Sequence, residues 1–288
     1  MTGVVVLARI VQSAVLNPPA LPRLLARAVL GERHEIAGKT VLLTGASSGV
    51  GKAAAYALGR DGARLILVAR KAEPLAEVRD AVLADGGTAE ALTCDLADAE
   101  DTEALTATVL ERFGTVDVLV NNAGRSIRRR AADATDRFHD YERTMALNYF
   151  GAARLTMGLL PAMLDAGTGH IVNVATWGVA AGSMPKFTAY HASKAALGAF
   201  GRSLGAETRS QGVHVSTVGF PLVRTEMIAP TGAYDEAAAL TAEQAAEWIR
   251  IAIRTRPVEL YPRYTRVLQT IATVSPRAVD AMIWRLGI

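Results

Sequence analysis

The sequence predicts an α/β fold built from parallel βαβ units, and two observations carry this prediction. Short apolar segments alternate along the chain with longer helical stretches, which is typical of a parallel sheet with crossover connections. The first of these segments, Thr40–Thr44, runs directly into a glycine-rich turn at 45–51 and then into an Ala-rich helix. With 288 residues, of which 50% are hydrophobic and 20% charged, the chain can form one large domain of this class.

The glycine-rich turn, GASSGVG, has the context that a dinucleotide-binding loop requires. Glycines let the backbone approach a pyrophosphate, and the helix that follows offers free N–H groups and the positive end of its dipole. The spacing is G-x-x-x-G-x-G rather than G-x-G-x-x-G, so the flanking strand and helix support the prediction more than the glycines alone. The predicted cofactor contacts in this turn are Gly45, Ser47, Ser48, Gly49, Val50 and Gly51.

The residues that follow the second predicted strand, 65–69, bear on which nicotinamide cofactor is bound. An acidic residue at this point would hydrogen-bond the adenosine ribose and select NAD. The chain has Arg70 and Lys71 instead, and two cations suit the 2′-phosphate of NADP(H). The alternative is that both are ordinary solvated cations; the position after the strand favours NADP(H).

The rest of the chain continues the alternation. Strands are predicted near 89–93, 116–120, 170–174 and 213–218, and helices near 73–84, 99–113, 136–160 and 242–254, with a short helix before Ile288. Loops at the carboxyl ends of parallel strands meet at one cleft, so the loops after these strands should face each other. One of them, Arg125–Arg130, carries four arginines, which either bind a phosphate-bearing substrate or form a solubilising turn.

A tyrosine and a lysine four residues apart, Tyr190 and Lys194, are the candidate catalytic pair. On a helix they point the same way. A nearby ammonium favours the phenolate and lowers the pKa of a tyrosine from about 10 towards the range of useful acid–base catalysis. Taken alone, the pair would more often be one buried tyrosine and one solvated lysine; the dinucleotide-type loop in the same chain favours catalysis.

Composition excludes some classes of function. The net charge of +3 and pI near 9.1 are too weak to indicate nucleic-acid binding, and no metal ion is predicted. Cys94 is the only cysteine, which excludes an internal disulfide and fits a reducing, cytoplasmic compartment.

The pattern of residues 1–34 predicts a helical extension whose apolar run is too short to span a membrane. We favour helices that cover a flank of the domain; the alternative is a peripheral membrane anchor or a lid over an apolar ligand.

Five motifs, taken together, resemble the short-chain dehydrogenase/reductase family: TGASSGVG (44–51), CDL (94–96), NNAG (121–124), Asn148 and YHASK (190–194). The resemblance implies a single Rossmann-type domain over 35–288, with a doubly wound parallel sheet of about seven strands flanked by helices, assembled as dimers or tetramers. It also implies a Ser-Tyr-Lys-Asn tetrad, with Asp95 near the adenine and Thr225 near the nicotinamide carboxamide. The further cofactor contacts that it implies are Leu96, Asn122, Ala123, Gly124, Tyr190, Lys194, Pro221 and Val223.

Two positions depart from the family pattern. Where the family has its catalytic serine, this chain has Thr176, fourteen residues before Tyr190 rather than thirteen. A threonine hydroxyl can donate and accept as a serine hydroxyl does, although its methyl group restricts χ1; Ser183 is a fallback. The usual Pro-Gly after the sixth strand is Pro221-Leu222, which narrows the backbone freedom beside the nicotinamide.

The segments NNAGRSIRRR, 136–155 and 221–234 narrow the resemblance to the single-domain bacterial fatty acyl-CoA reductases and related actinobacterial proteins. The first hypothesis is therefore reduction of an acyl thioester or other apolar carbonyl with NADPH. Tyr190 acts as general acid, Thr176 binds the same oxygen, Lys194 tunes the tyrosine and binds the nicotinamide ribose, and Asn148 holds a water. The alternatives are a reductase or alcohol dehydrogenase for a lipid, steroid or retinoid ketone or aldehyde, and a non-catalytic NADP-binding module.

Overall fold

A computed structural model describes residues 34–228 and 237–285. In these residues seven strands form one parallel sheet in the order β3-β2-β1-β4-β5-β6-β7. The strands are β1 Thr40–Thr44, β2 Arg64–Ala69, β3 Thr88–Thr93, β4 Val118–Asn121, β5 Gly169–Thr176, β6 Val213–Phe220 and β7 Glu259–Leu260. The order reverses between β1 and β4, and open α/β sheets bind ligands at the carboxyl ends of the strands beside such a switch point. The predicted doubly wound fold is confirmed.

Helices cover both faces of the sheet. In chain order they are α1 Gly49–Arg60, α2 Ala72–Ala84, α3 Ala99–Phe113, α4 His139–Met145, α5 Ala152–Asp165, α6 Trp177–Ala181, α7 Thr188–Thr208, α8 Ala242–Thr255, α9 Arg263–Val274 and α10 Pro276–Arg285. One core layer contains buried side chains of α1, α2 and α8, and the other contains those of α3, α5 and α7. Along β1, Val41 and Leu43 face the first layer and Leu42 the second, because successive side chains of a strand alternate.

The predicted helix at 136–160 is not continuous. It consists of α4, a π-helical turn at Ala146–Gly151, and α5, which extends to Asp165. Apolar periodicity indicates a helix but does not report a local change of hydrogen-bond register. Close packing accompanies the turn: an added Cβ at Gly151 would lie 2.1 Å from the carbonyl oxygen of Leu96.

The C-terminal region also differs from the sequence-based expectation. The predicted short helix before Ile288 is two helices, α9 and α10, which meet at Ser275 and Pro276. Proline lacks an amide N–H and is favoured at the first position of a helix, so it separates the two. The strand β7 was not located from the sequence because two residues are too few to show a period.

The predicted N-terminal extension, residues 1–34, lies outside the described residues except for His34. Among the residues that are described, no helix combines the length and apolarity needed to cross a bilayer. The homo-oligomer and the peripheral membrane contact stay predictions. Cys94 is a buried free thiol, and its pKa is raised to about 11, chiefly by burial.

Candidate active site

The helix α7 presents the predicted pair at the carboxyl edge of the sheet. Tyr190 and Lys194 lie one turn apart near its start. Lys194 is 3% exposed, and its Nζ donates a hydrogen bond of 2.7 Å to the carbonyl oxygen of Val174 on β5. The ammonium also lies beside the loop after β4, since an added Cβ at Gly124 would be 3.2 Å from Nζ.

Thr176 is the last residue of β5; its Oγ1 donates a long hydrogen bond of 4.0 Å to Met184 Sδ, and its side chain lies close enough to Tyr190 to act on the pKa of that phenol. It therefore stands where a serine would be expected in the tetrad that the resemblance implies. Ser183, the fallback, lies in the loop after α6, and its side chain makes no hydrogen bond to any residue that the structure describes. The chain between Thr176 and Tyr190 forms α6 and the loop to α7, which includes Lys186 in a left-handed conformation at φ 68°.

The charge states at this pair differ from the sequence-based expectation. Burial raises the pKa of Tyr190 to about 12, although the hydrogen bond with Thr176 acts in the opposite direction. Burial also lowers the pKa of Lys194 to about 8, because an ammonium loses hydration in the interior. The sequence predicted a lowered tyrosine pKa from proximity alone; it could not report how completely both groups are desolvated.

Asn148 joins the loop after β4 to α7. Its Oδ1 accepts a hydrogen bond of 2.8 Å from the amide of Arg125, and its Nδ2 donates to the Arg125 carbonyl and to Ser193 Oγ, both at 2.9 Å. The Ser193 hydroxyl in turn donates to the carbonyl of Tyr190 at 2.7 Å. The π-helical turn places Asn148 at this junction, which is a common use of such turns at functional sites.

The glycine-rich turn is fixed against the NNAG loop. Asn122 Nδ2 donates to the carbonyl of Thr44 at 2.9 Å, and Thr44 Oγ1 accepts from the amides of Asn122 and Ala123 at 3.0 Å. Gly45 and Gly49 have φ of +66° and +50°, which side-chain-bearing residues rarely adopt. An added Cβ at Gly51 would lie 2.0 Å from the Gly45 carbonyl oxygen, so the cradle admits only glycine there.

This cradle fits the diphosphate of a nicotinamide dinucleotide. The helix α1 begins at Gly49, its N-cap residue Ser48 makes no side-chain capping bond, and its first turn contains no acidic residue. The amides of the first turn are therefore available to an anion. Thr225 closes the other side, since its Cγ2 lies 3.2 Å from an added Cβ at Gly49. Val50 and Ser47 are part of the same turn, and Pro221 and Val223 follow β6.

The predicted adenosine end lies at the carboxyl ends of β2 and β3. Arg70 is exposed and its guanidinium lies 3.8 Å from a carboxylate oxygen of Asp95. Asp95 Oδ1 accepts from the amide of Ala97, which fixes the loop that contains Leu96. Lys71 is the exposed N-cap residue of α2. The structure thus brings Arg70, Lys71 and Asp95 to one edge, while their contacts with a cofactor stay predictions.

The arginine-rich loop after β4 meets residues that sequence reasoning missed. The Arg129 amide donates to the carbonyl of Lys186, and the Arg129 guanidinium lies 3.4 Å from the buried Asp140. Arg130 and Lys186 both lie over the ring of Trp284 on α10, at 5.9 and 5.5 Å from its centroid. Lys186 and Trp284 are far from this loop in the sequence, so no local pattern could have shown their contacts with it.

Asp140 neutralises part of this loop. Arg137 hydrogen-bonds its carboxylate, and this bond, with Arg129 and His139 nearby, holds the pKa of Asp140 below its usual value. Arg130 is less engaged, since its contact with Asp133 is 3.7 Å and both side chains are more than half exposed. Arg130 is therefore a solvent-facing cation beside Trp284.

A family model of short chain dehydrogenases matches residues 39–235. The chain belongs to the short-chain dehydrogenase family. As a short-chain dehydrogenase it is an oxidoreductase, and the cradle at Gly45–Gly51 together with its family assigns it a nicotinamide cofactor.

Known relatives agree with this assignment. The chain is 49% identical over 270 residues to a fatty acyl-CoA reductase of Mycobacterium tuberculosis, and the match covers 94% of this chain and 92% of that protein. It is 44% identical over 244 residues to the fatty acyl-CoA reductase of Acinetobacter baylyi, covering 85% and 82%. The structure is similar to a metagenomic short-chain oxidoreductase in complex with NADP, with a TM-score of 0.66, 30% identity and coverage of 76% and 92%. The predicted resemblance to bacterial fatty acyl-CoA reductases is confirmed.

Proposed function

We propose that this short-chain dehydrogenase reduces the thioester carbonyl of long-chain fatty acyl-CoA with NADPH. The observation that carries the proposal is the grouping of Tyr190, Thr176 and Lys194 at the carboxyl edge of the sheet. The names of the relatives from M. tuberculosis and A. baylyi support the choice of substrate.

The side chains suit proton donation to a carbonyl oxygen. When bound, a reduced nicotinamide supplies a hydride to the carbonyl carbon. With a pKa of about 12, Tyr190 holds its proton at neutral pH and donates it as negative charge develops on the oxygen. Thr176 hydrogen-bonds the same oxygen and orients it. Addition to a thioester in this way gives a hemithioacetal, which loses the thiol of CoA to leave an aldehyde.

Lys194 and Asn148 support the proton donor. The Lys194 ammonium lies next to Gly124 and would hold a ribose hydroxyl of the cofactor, and its proton would replace the one that Tyr190 gives up. Asn148 Oδ1 also lies beside Gly124, since it would be 3.3 Å from an added Cβ there. A carbonyl oxygen has two lone pairs, so Oδ1 keeps one for a water after accepting from Arg125.

The preference for NADPH over NADH is expected to depend on Arg70. Arg70→Gln should lower the ratio of kcat/KM for NADPH to that for NADH about tenfold or more, because a charge-assisted hydrogen bond to the 2′-phosphate is lost. Arg64→Gln is the matched control, since Arg64 is an exposed arginine at the opposite end of the same strand. Steady-state kinetics with both cofactors measure the ratio, and an unchanged ratio in Arg70→Gln would contradict the role.

The mouth of the cleft suits the nucleotide part of CoA. Trp284 is 50% exposed, and Arg130 and Lys186 lie over its ring. Two cations beside an aromatic ring complement the phosphates and the base of one nucleotide. The proposal therefore places the acyl group near Tyr190 and the CoA phosphates near Arg130.

A substrate comparison tests the proposed function. The purified full-length protein should oxidise NADPH with palmitoyl-CoA, and Arg130→Gln should raise the KM for palmitoyl-CoA several-fold or more while leaving the KM for the free fatty aldehyde unchanged. Arg64→Gln should change neither. NADPH oxidation with lipid ketones or aldehydes but not with acyl-CoA would instead favour a carbonyl reductase. Tight NADPH binding without turnover of any carbonyl would favour a non-catalytic module.

A further inference from the structure

A second cavity lies at the amino-terminal end of the sheet, away from Tyr190. It has a volume of about 160 Å³ and lies between the end of α7, the start of β6 and the connection from α8 to β7. The lining includes His214, which is the second residue of β6. The last residue of the same strand is Phe220, which pairs with Thr176. His214 and Phe220 are six positions apart in the strand, a distance of roughly 20 Å. The cavity is thus remote from the catalytic cleft.

Among the described residues, the lining of this cavity contains three arginines and one histidine, and no acidic residue. Arg202, Arg209, His214 and Arg256 contribute to it. Arg202 has Glu259 at 3.8 Å as a partner. The side chains of Arg209 and Arg256 form no hydrogen bond or ion pair with any residue of the ranges 34–228 and 237–285, and the Nε of Arg256 is buried without a partner there.

The backbone holds Arg256 in place. It caps α8 in a left-handed conformation, with φ 44°, and its amide donates to the carbonyl of Ala252 at 2.8 Å. Pro257 follows and restricts the chain further. Burial lowers the pKa of Arg256, and the Asp117 carboxylate acts in the opposite direction. This carboxylate already accepts hydrogen bonds from the Lys39 ammonium at 2.9 Å and from the Thr40 amide at 2.8 Å. A part-buried guanidinium without its own counter-ion is unfavourable unless an anion is bound.

The remaining surface of the cavity leaves room for such an anion. The floor includes Gly201 and Gly205 on α7, where an added Cβ would lie within 3.3 Å of Val215, so these glycines let α7 pack closely against β6. A water occupies about 30 Å³ of liquid, so the volume admits a group several times larger. The mutual effect of the cations is visible at His214, whose pKa is lowered by burial and by Arg256 and Arg209.

We propose that this cavity binds a phosphate-type dianion, either free phosphate or a phosphate monoester, through the guanidinium groups of Arg209 and Arg256 with His214 beside them. The planar fork of an arginine matches two oxygens of a phosphate, and two such forks favour a dianion over a monocarboxylate. A bound anion supplies the counter-ion that the Arg256 guanidinium lacks among the described residues. The cavity is lined by α7, which carries Tyr190, and by β6, which pairs with the strand β5 that ends at Thr176, so the anion stabilises these elements without touching the substrate cleft.

Thermal unfolding and calorimetry of the full chain test this site. The protein is first saturated with its nicotinamide cofactor, so that the phosphate subsites of the cleft are filled, and is then titrated with inorganic phosphate, glycerol 3-phosphate or propionate. Phosphate or the monoester should raise the melting temperature in a saturable way. Which of the two binds more tightly identifies the source, whereas propionate binding equally well would overturn the assignment to a dianion.

Matched variants locate the binding. Arg256→Gln and Arg209→Gln should each weaken phosphate binding about tenfold or more, because charge-assisted hydrogen bonds are lost. Arg266→Gln removes the same charge from an exposed position on α9 and should leave binding unchanged. Arg209 is exposed, so Arg209→Gln should fold and tests the binding site even if Arg256→Gln does not fold. No phosphate-dependent shift in the wild-type protein, or the same shift in all three variants, would overturn the proposal.

Discussion

Tyr190→Phe is expected to lower the rate of NADPH-dependent carbonyl reduction by about 10²- to 10⁴-fold while leaving NADPH affinity near that of the wild-type protein. The substitution removes only the hydroxyl, which lies near Thr176. The ring keeps its edge contact with Phe187, whose centroid lies 6.1 Å away, so the start of α7 should retain its position. Single-turnover reduction measures the chemical step, and a fluorescence titration with NADPH measures binding.

A second variant separates loss of chemistry from loss of structure. Thr176→Ser keeps a hydroxyl at the end of β5 and should retain most of the activity, although it removes a buried methyl group. If Tyr190→Phe reduced the substrate at the wild-type rate, Tyr190 would not be the proton donor. If it lost NADPH binding as well, the loss of activity would report a structural role.

The pH profile of the wild-type enzyme gives an independent readout of this pair. Since the pKa of Tyr190 is raised to about 12, the proton donor stays protonated throughout the neutral range. The pKa of Lys194 is lowered to about 8, so its charge is present below pH 8 and is lost above it. The rate of reduction should therefore decline above about pH 8, and the Tyr190→Phe variant should not show this decline.

Local sequence patterns predicted the elements that position this site. Thr40–Thr44 and Ala99–Phe113 begin and end where the structure has β1 and α3, because a continuous apolar strand and a capped amphipathic helix are defined by neighbouring residues. The Asp98 side chain accepts from the Asp101 amide and so marks the start of α3. Neighbouring residues likewise predicted that the glycine-rich turn lies between a strand and a helix.

Features that depend on distant contacts were not predictable in this way. The π-helical turn at Asn148 accompanies close packing between Gly151 and Leu96, which are distant in the sequence. The contact of Trp284 with Arg130 and Lys186 requires α10 to lie beside the loop after β4. The pKa values of the catalytic tyrosine and lysine depend on burial, which spacing along a helix does not determine.

Gly51→Ala is expected to have the largest effect on cofactor binding. The added methyl group would lie 2.0 Å from the carbonyl oxygen of Gly45 and 2.7 Å from Asn122 Nδ2, so the turn or the start of α1 must move. Such a shift misaligns the amides at the helix N-terminus and breaks the contact between Asn122 and the turn. NADPH affinity should fall about tenfold or more, and the free energy of unfolding should fall by about 1–3 kcal/mol, as is typical of overpacking.

Gly198→Ala is the matched control for this prediction. Gly198 lies inside α7, and an added Cβ there would meet only Val179 Cγ1 at 3.4 Å, an ordinary van der Waals contact. Alanine is favoured over glycine within a helix by up to about 1 kcal/mol, so this variant should be as stable as the wild-type protein or slightly more stable. Denaturant unfolding and NADPH titration of both variants measure the two effects. Equal NADPH affinity in Gly51→Ala and Gly198→Ala would mean that the close approach at Gly51 does not shape the cofactor cradle.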